Sequence, residues 1–170
     1  MFRRKPKYFT EPELRRWAEK QIKKGVPLGK ICTELMAMVD RSPLDLNKLD
    51  NLGKSTVHNH ACLNLEQAIF QTMIDRNETA RRLERAGQIE DAIALYEQSV
   101  RDLFIGTFPY NRLRIIYTKQ KRYEDAIRVC QAYINNPCRK ALKGGKGKSK
   151  GSEPFQEWIR KLKEKMKEGK

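Results

Sequence analysis

The 170-residue chain predicts an all-α fold of stacked antiparallel helix pairs, and three observations carry that prediction. Apolar residues recur at helical spacing along most of the length, and no stretch shows the alternation or β-branched density of a strand. The segment IEDAIALYEQSV at 89–100 returns as YEDAIRVCQAYI at 123–134. Glu90/Glu124, Asp91/Asp125, Ala92/Ala126 and Ile93/Ile127 keep an offset of 34, and so do Asn77 and Asn111.

The elements follow in order. Thr10 with Glu13 has the form of a capping box, Pro12 suits a first turn, and Leu14, Trp17, Ala18, Gln21 and Ile22 mark a helix running to about Gly25. Val26-Pro27-Leu28-Gly29 reads as a turn, after which Ile31, Leu35, Met38 and Val39 form a second apolar face. Ser42-Pro43 opens a third helix, expected to stop at Gly53.

The next helix has two readings of its start. Asn64 with Gln67 can cap it, whereas Val57, Ala61 and Leu65 fit a helix beginning at Ser55. Either way, Ala68, Ile69, Met73, Ala80 and Leu83 carry it to Gly87, a natural residue for a helix end. Further helices are expected from Ile89 to Phe104, from Thr107-Phe108-Pro109 to about Gln120, and from Tyr123 to Asn135, where Asn136-Pro137 halts the last. The stretch RKALKGGKGKSKGS at 139–152 has the composition of a flexible loop. From Ser152 onward, Phe155, Trp158, Ile159, Leu162 and Met166 share one helical stripe opposite lysines. The expected organisation is a basic helical region over 1–60, helical repeats over 61–138, the Lys/Gly-rich loop over 139–152 and an amphipathic capping helix over 153–170.

A helix, a short turn at Gly87 or Lys121, and a second helix opening on Glu-Asp-Ala, repeated every 34 residues, resembles the tetratricopeptide repeat family. Aligned on Ala92 and Ala126, the copies span 73–106 and 107–140. Ala80 stands where the family has a small residue on its first helix, Leu83 and Tyr117 fill later places on that helix, and Tyr96 fills a bulky place on the second. Tyr110 and Leu113 match an aromatic and an aliphatic place. Arg114, Ser99, Tyr133 and Phe104 depart from the pattern. Because about three repeats are needed for stability, the flanking helices are expected to complete the stack.

The resemblance implies a non-catalytic adaptor whose first helices line a groove for a peptide or partner helix. Projected onto this chain, the groove residues are Asn77, Arg81 and Arg85 in the first copy and Asn111, Arg112 and Lys119 in the second. Asn amides can hold a peptide backbone and Arg can take a carboxylate with two hydrogen bonds, so an acidic peptide or C-terminus is the expected partner.

Charge supports a competing reading. Of the net +15, residues 1–30 hold ten Lys/Arg against three Asp/Glu, residues 139–170 hold twelve against four, and the middle is balanced. Basic ends can hold a polyanion, with Lys143, Lys146, Lys148 and Lys150 as contacts. Nucleic acid, a ribosome or an anionic membrane surface would then be the main partner. KKGVPLGKICTEL at 23–35, with LGKSTVHNH at 52–60, also has the outline of a helix-turn-helix.

Other chemistry finds little footing. LGKST at 52–56 ends like a phosphate-binding loop, but Lys48 stands where that loop requires glycine. HNHAC places His58, His60 and Cys62 on one face only if extended; a helix splays them apart. Cys32, Cys62, Cys130 and Cys138 form no CxxC pair, and no catalytic pattern surrounds them, so neither enzyme activity, metal nor cofactor is expected. No apolar run reaches the roughly 18 residues of a membrane span, and the basic start is not followed by an apolar segment, so a cytoplasmic protein is expected.

Overall fold

The computed structural model describes residues 8–41, 49–142 and 153–168. Among the described residues the elements are eight α-helices with no strand: α1 (Glu11–Lys23), α2 (Leu28–Met38), α3 (Leu49–Arg85), α4 (Ile89–Arg101), α5 (Phe108–Lys119), α6 (Tyr123–Asn135), α7 (Pro137–Leu142) and α8 (Glu153–Glu168). Met1–Gln71 and Thr72–Lys170 form two compact units, and the division falls inside α3. Among the described residues no helix is long and apolar enough to cross a membrane.

Local chemistry places the helix ends. At α1 the Glu13 carboxylate accepts from the Thr10 N–H at 2.8 Å and from its hydroxyl at 3.0 Å. Four turns close alike, at Gly25, Gly87, Leu103 and Lys121, with φ of 74°, 82°, 58° and 57°. In each, the following N–H reaches the carbonyl five residues back: Val26 to Gln21 at 3.1 Å, Gln88 to Leu83 at 2.9 Å, Phe104 to Ser99 at 3.0 Å and Arg122 to Tyr117 at 2.8 Å. Glycine enters this region without a Cβ clash, whereas Leu103 and Lys121 do so at a penalty of about 1 kcal/mol each.

Three expectations are corrected. Gly53 does not end a helix; it lies within α3, which runs unbroken past Ser55 and Asn64 to Arg85. An interior glycine costs only about 1 kcal/mol, and a buried row of His58, Cys62, Leu65, Ile69, Met73 and Ala80 outweighs it. α4 stops at Arg101 because Leu103 turns left-handed. Residues 139–142, expected to be loop, belong to α7, whose start is capped by the Asn136 Oδ1 accepting from the Cys138 N–H at 2.9 Å.

In the first unit, Leu14 and Ala18 of α1, Ile31 and Leu35 of α2, and Ala61, Cys62 and Leu65 of α3 are buried. Polar side chains tie its backbone together. The His58 Nδ1 accepts from the Phe9 N–H at 3.1 Å, and its Nε2 donates to the Met38 carbonyl at 2.9 Å. Asn59 accepts from the Asp40 N–H at 2.8 Å and donates to its carbonyl at 3.0 Å. The Asp40 carboxylate accepts from Tyr8 and Ser55 hydroxyls at 2.8 and 3.0 Å.

In the second unit, α5 packs against α4 and α6, and α6 packs against α8. Ala80, Ala92, Tyr96, Tyr110, Leu113, Tyr117, Ala126, Val129 and Tyr133 share one buried cluster with Phe155 and Leu162 of α8. The Phe155 ring lies 4.2 Å from that of Tyr133, centroid to centroid. Asn136 fastens the α4–α5 connection by donating to the carbonyls of Leu103 and Phe104, each at 3.0 Å.

Candidate functional site

The second unit brings the end of α3 beside α4 and α5 through a shared carboxylate. Glu84 of α3 accepts from the Tyr96 hydroxyl of α4 at 3.1 Å and forms a two-pronged ion pair with Arg112 of α5 through Nε, at 3.0 Å, and Nη2. Burial pushes the Glu84 carboxyl up, but the hydrogen bonds and charge of Arg112, with the Tyr96 hydroxyl, outweigh burial and hold it below the usual carboxylate range. Burial and the adjacent Glu84 charge push the Tyr96 hydroxyl well above its ordinary value.

A second relay of the same kind joins α5, α4 and α6. Glu97 accepts from the Tyr117 hydroxyl at 2.6 Å and pairs with Arg128 at 2.5 Å. Each carboxylate thus links a tyrosine and an arginine from two other helices.

The residues expected to line the groove take different roles. Arg81 is exposed with Glu78 at 3.7 Å, and Arg85 and Lys119 are exposed without a hydrogen-bond or ion-pair partner among the described residues. Arg112 is engaged by Glu84. Asn111 accepts from Arg114 Nη2 at 2.8 Å and Nε at 3.2 Å. Asn77 is only 4% exposed, and neither its Oδ1 nor its Nδ2 has a partner among the described residues. Helical spacing from Met73 and towards Ala80 is the signal that places Asn77 in the buried row rather than on the open face. Lys143, Lys146, Lys148 and Lys150 lie outside the described residues, as does Lys48.

Arg114 is the functional candidate that its sequence position concealed, because it occupies a place expected to hold a small packing residue. Its guanidinium lies 4.0 Å from the centre of the Trp158 ring of α8. Burial pulls the Arg114 guanidinium below its ordinary value, and no carboxylate among the described residues lies within ion-pair distance.

In the first unit, HNHAC is helical, so His60 is exposed while His58 and Cys62 are buried, with Cys62 Sγ 3.6 Å from His58 Nε2. Burial pushes the Cys62 thiol up, away from the thiolate a nucleophile or metal ligand needs. Burial likewise pushes Cys130 up to about 12. LGKST lies within α3 and so forms no phosphate-cradling loop.

No family model, curated protein or solved structure matches this chain.

Proposed function

We propose that the second unit is a non-catalytic binding module, a short stack of helix pairs of the tetratricopeptide type closed by α8, which takes an acidic peptide along the end of α3 and α5. The observation that carries this reading is the charge of α5: Arg112, Arg114 and Lys119 stand on a helix with no Asp or Glu, and of the three only Arg112 lies within ion-pair distance of a carboxylate among the described residues. Arg81 and Arg85 on α3 add exposed cations, and Asn111 adds an amide suited to a peptide backbone.

A second reading gives the basic ends the leading part. Arg16, Lys20, Lys23 and Lys24 are exposed on and just after α1, as are Lys161, Lys163, Lys165 and Lys167 on α8. Such charges hold a polyanion with an affinity that falls steeply with salt.

Fluorescence anisotropy separates the two, using a labelled Asp/Glu peptide, its Asn/Gln counterpart and labelled RNA and DNA at low and near-physiological salt. Selective acidic-peptide binding that survives the higher salt and is lost in Arg85→Glu with Lys119→Glu upholds the module. Binding of RNA or DNA that persists at that salt, with no peptide binding, overturns it. Arg112 is left intact because its reversal would set two carboxylates against each other.

A further inference from the structure

The two copies of the 34-residue repeat solve one packing problem in opposite ways. In the first, the small residue is Ala80 on the leading helix and the large one is Tyr96 on the following helix, both fully buried. In the second, the corresponding places hold Arg114 and Cys130, so the large residue is on the leading helix and the small one on the other. Each thus has one long and one short side chain, which conserves the volume to be filled. Arg114 and the Cys130 thiol are near enough to perturb one another electrostatically.

The exchange changes the chemistry at the tip of the long side chain. Tyr96 ends on the carboxylate of Glu84, which also neutralises Arg112. In the second copy the place of Glu84 is taken by Thr118, whose hydroxyl turns back to the Arg114 carbonyl at 2.7 Å. Arg114 therefore ends on an amide oxygen, Asn111 Oδ1, and an aromatic face, Trp158. Both favour a cation, yet neither cancels its charge.

Donors beside that charge are unused: Arg114 Nη1 and Asn111 Nδ2 have no acceptor among the described residues. Arg114, Asn111 and Trp158 are all half-buried, so they remain reachable while their surroundings strengthen any ion pair formed there. A cation backed by an aromatic face, with two free donors beside it and no acid, is complementary to a carboxylate.

We propose that Arg114, Asn111 and Trp158 form a subsite for a carboxylate of the acidic peptide, which supplies from outside the negative charge that Glu84 supplies from within the first copy. The proposal rests on the peptide-binding reading above and assigns that reading its anchoring contact. The Asn amide suits the peptide group beside an acidic side chain, and the planar guanidinium suits the planar carboxylate.

The test uses the full chain with Trp17→Phe, which leaves Trp158 as its only indole. Titration with the Asp/Glu peptide should give a saturable change in Trp158 emission, absent with the Asn/Gln peptide. Arg114→Met, which keeps the aliphatic stem and removes the charge, should weaken binding about tenfold, the scale of one charge-assisted contact. Asn111→Asp is the independent variant: it places a carboxylate against Arg114 at nearly unchanged size, so it should abolish the peptide response while the helical circular dichroism and melting temperature hold or rise.

Undiminished peptide binding in Asn111→Asp and a folded Arg114→Met overturns the subsite, and the module reading survives if Arg85→Glu with Lys119→Glu still loses the peptide. The reverse result, loss in Asn111→Asp with the Arg85/Lys119 reversal silent, upholds the subsite and overturns the wider face. Absence of any acidic-peptide response in the parent chain overturns both, as does a Trp158 response to RNA in preference to the peptide.

Discussion

His58 and Asn59 of the first unit bond side chain to backbone, whereas Glu84 and Glu97 of the second are each shared between side chains of other helices. His58 and Asn59 hold the N–H and carbonyl groups of Phe9, Met38 and Asp40, where α1 and α2 meet irregular chain. Glu84 and Glu97 instead each join a tyrosine and an arginine across packed helices. Each unit is therefore vulnerable at a different kind of contact. His58 is buried and its bonds to Phe9 and Met38 both end on backbone groups, whereas the Glu97 relay is edged by Arg128, whose side chain is 49% exposed, so water can take the place of a lost member there.

The largest effect is expected at His58. His58→Ala removes the acceptor of the Phe9 N–H and the donor to the Met38 carbonyl and opens a cavity, so we expect a loss of about 3 kcal/mol. Trp17 belongs to the first unit and Trp158 to the second, so each reports its own unit. Denaturant unfolding followed at Trp17 should shift strongly and at Trp158 little; an equal shift at both would dissolve the distinction.

Next in size is the exchange between repeat copies. Cys130→Tyr alone overpacks the cluster and Arg114→Ala alone empties it, each by about 2 kcal/mol, while the double variant reproduces the Ala80 and Tyr96 arrangement. Urea unfolding should recover at least half of the summed loss in the double variant; simple additivity would show that the two side chains do not share one space.

Glu84→Gln should be milder, about 1 kcal/mol, and dependent on pH. The folded carboxyl titrates below its unfolded value of about 4.3, so its stabilisation is fully present above that value and is lost as pH falls through the lower, folded one. The gap in melting temperature between parent and variant should therefore be constant near neutrality and close in acid; a gap that stays open at low pH would make the contact one of packing alone.

The smallest effect is a gain. Lys121→Gly should relieve the left-handed backbone at the end of α5 and stabilise the second unit by about 0.5–1 kcal/mol, read at Trp158. No change, or a loss, would mean that the Lys side chain offsets its own strain.

Much of the helical plan was legible in the chain because its causes are local. Thr10 and Glu13 lie within one turn, Gly25 and Gly87 announce left-handed ends, and the Ala92/Ala126 register exposes the repeat. Gly53 misled because propensity is weak beside the buried row that begins at His58 on the same helix, and 139–142 misled because Asn136 caps a helix that Lys- and Gly-rich composition hides.

The candidate site was legible only in part. The resemblance projected a groove onto Asn77, Arg81, Arg85, Asn111, Arg112 and Lys119, but it could not say that Arg112 is neutralised, that Asn77 is buried or that Arg114 rests on Trp158. By itself the sequence determined helix, turn, repeat period and net charge, since these depend on neighbours within a turn or on composition. Only the tertiary structure decided which charges are spent and which remain open, because Glu84 and Arg112, or Arg114 and Trp158, are distant along the chain and meet only when separate helices pack.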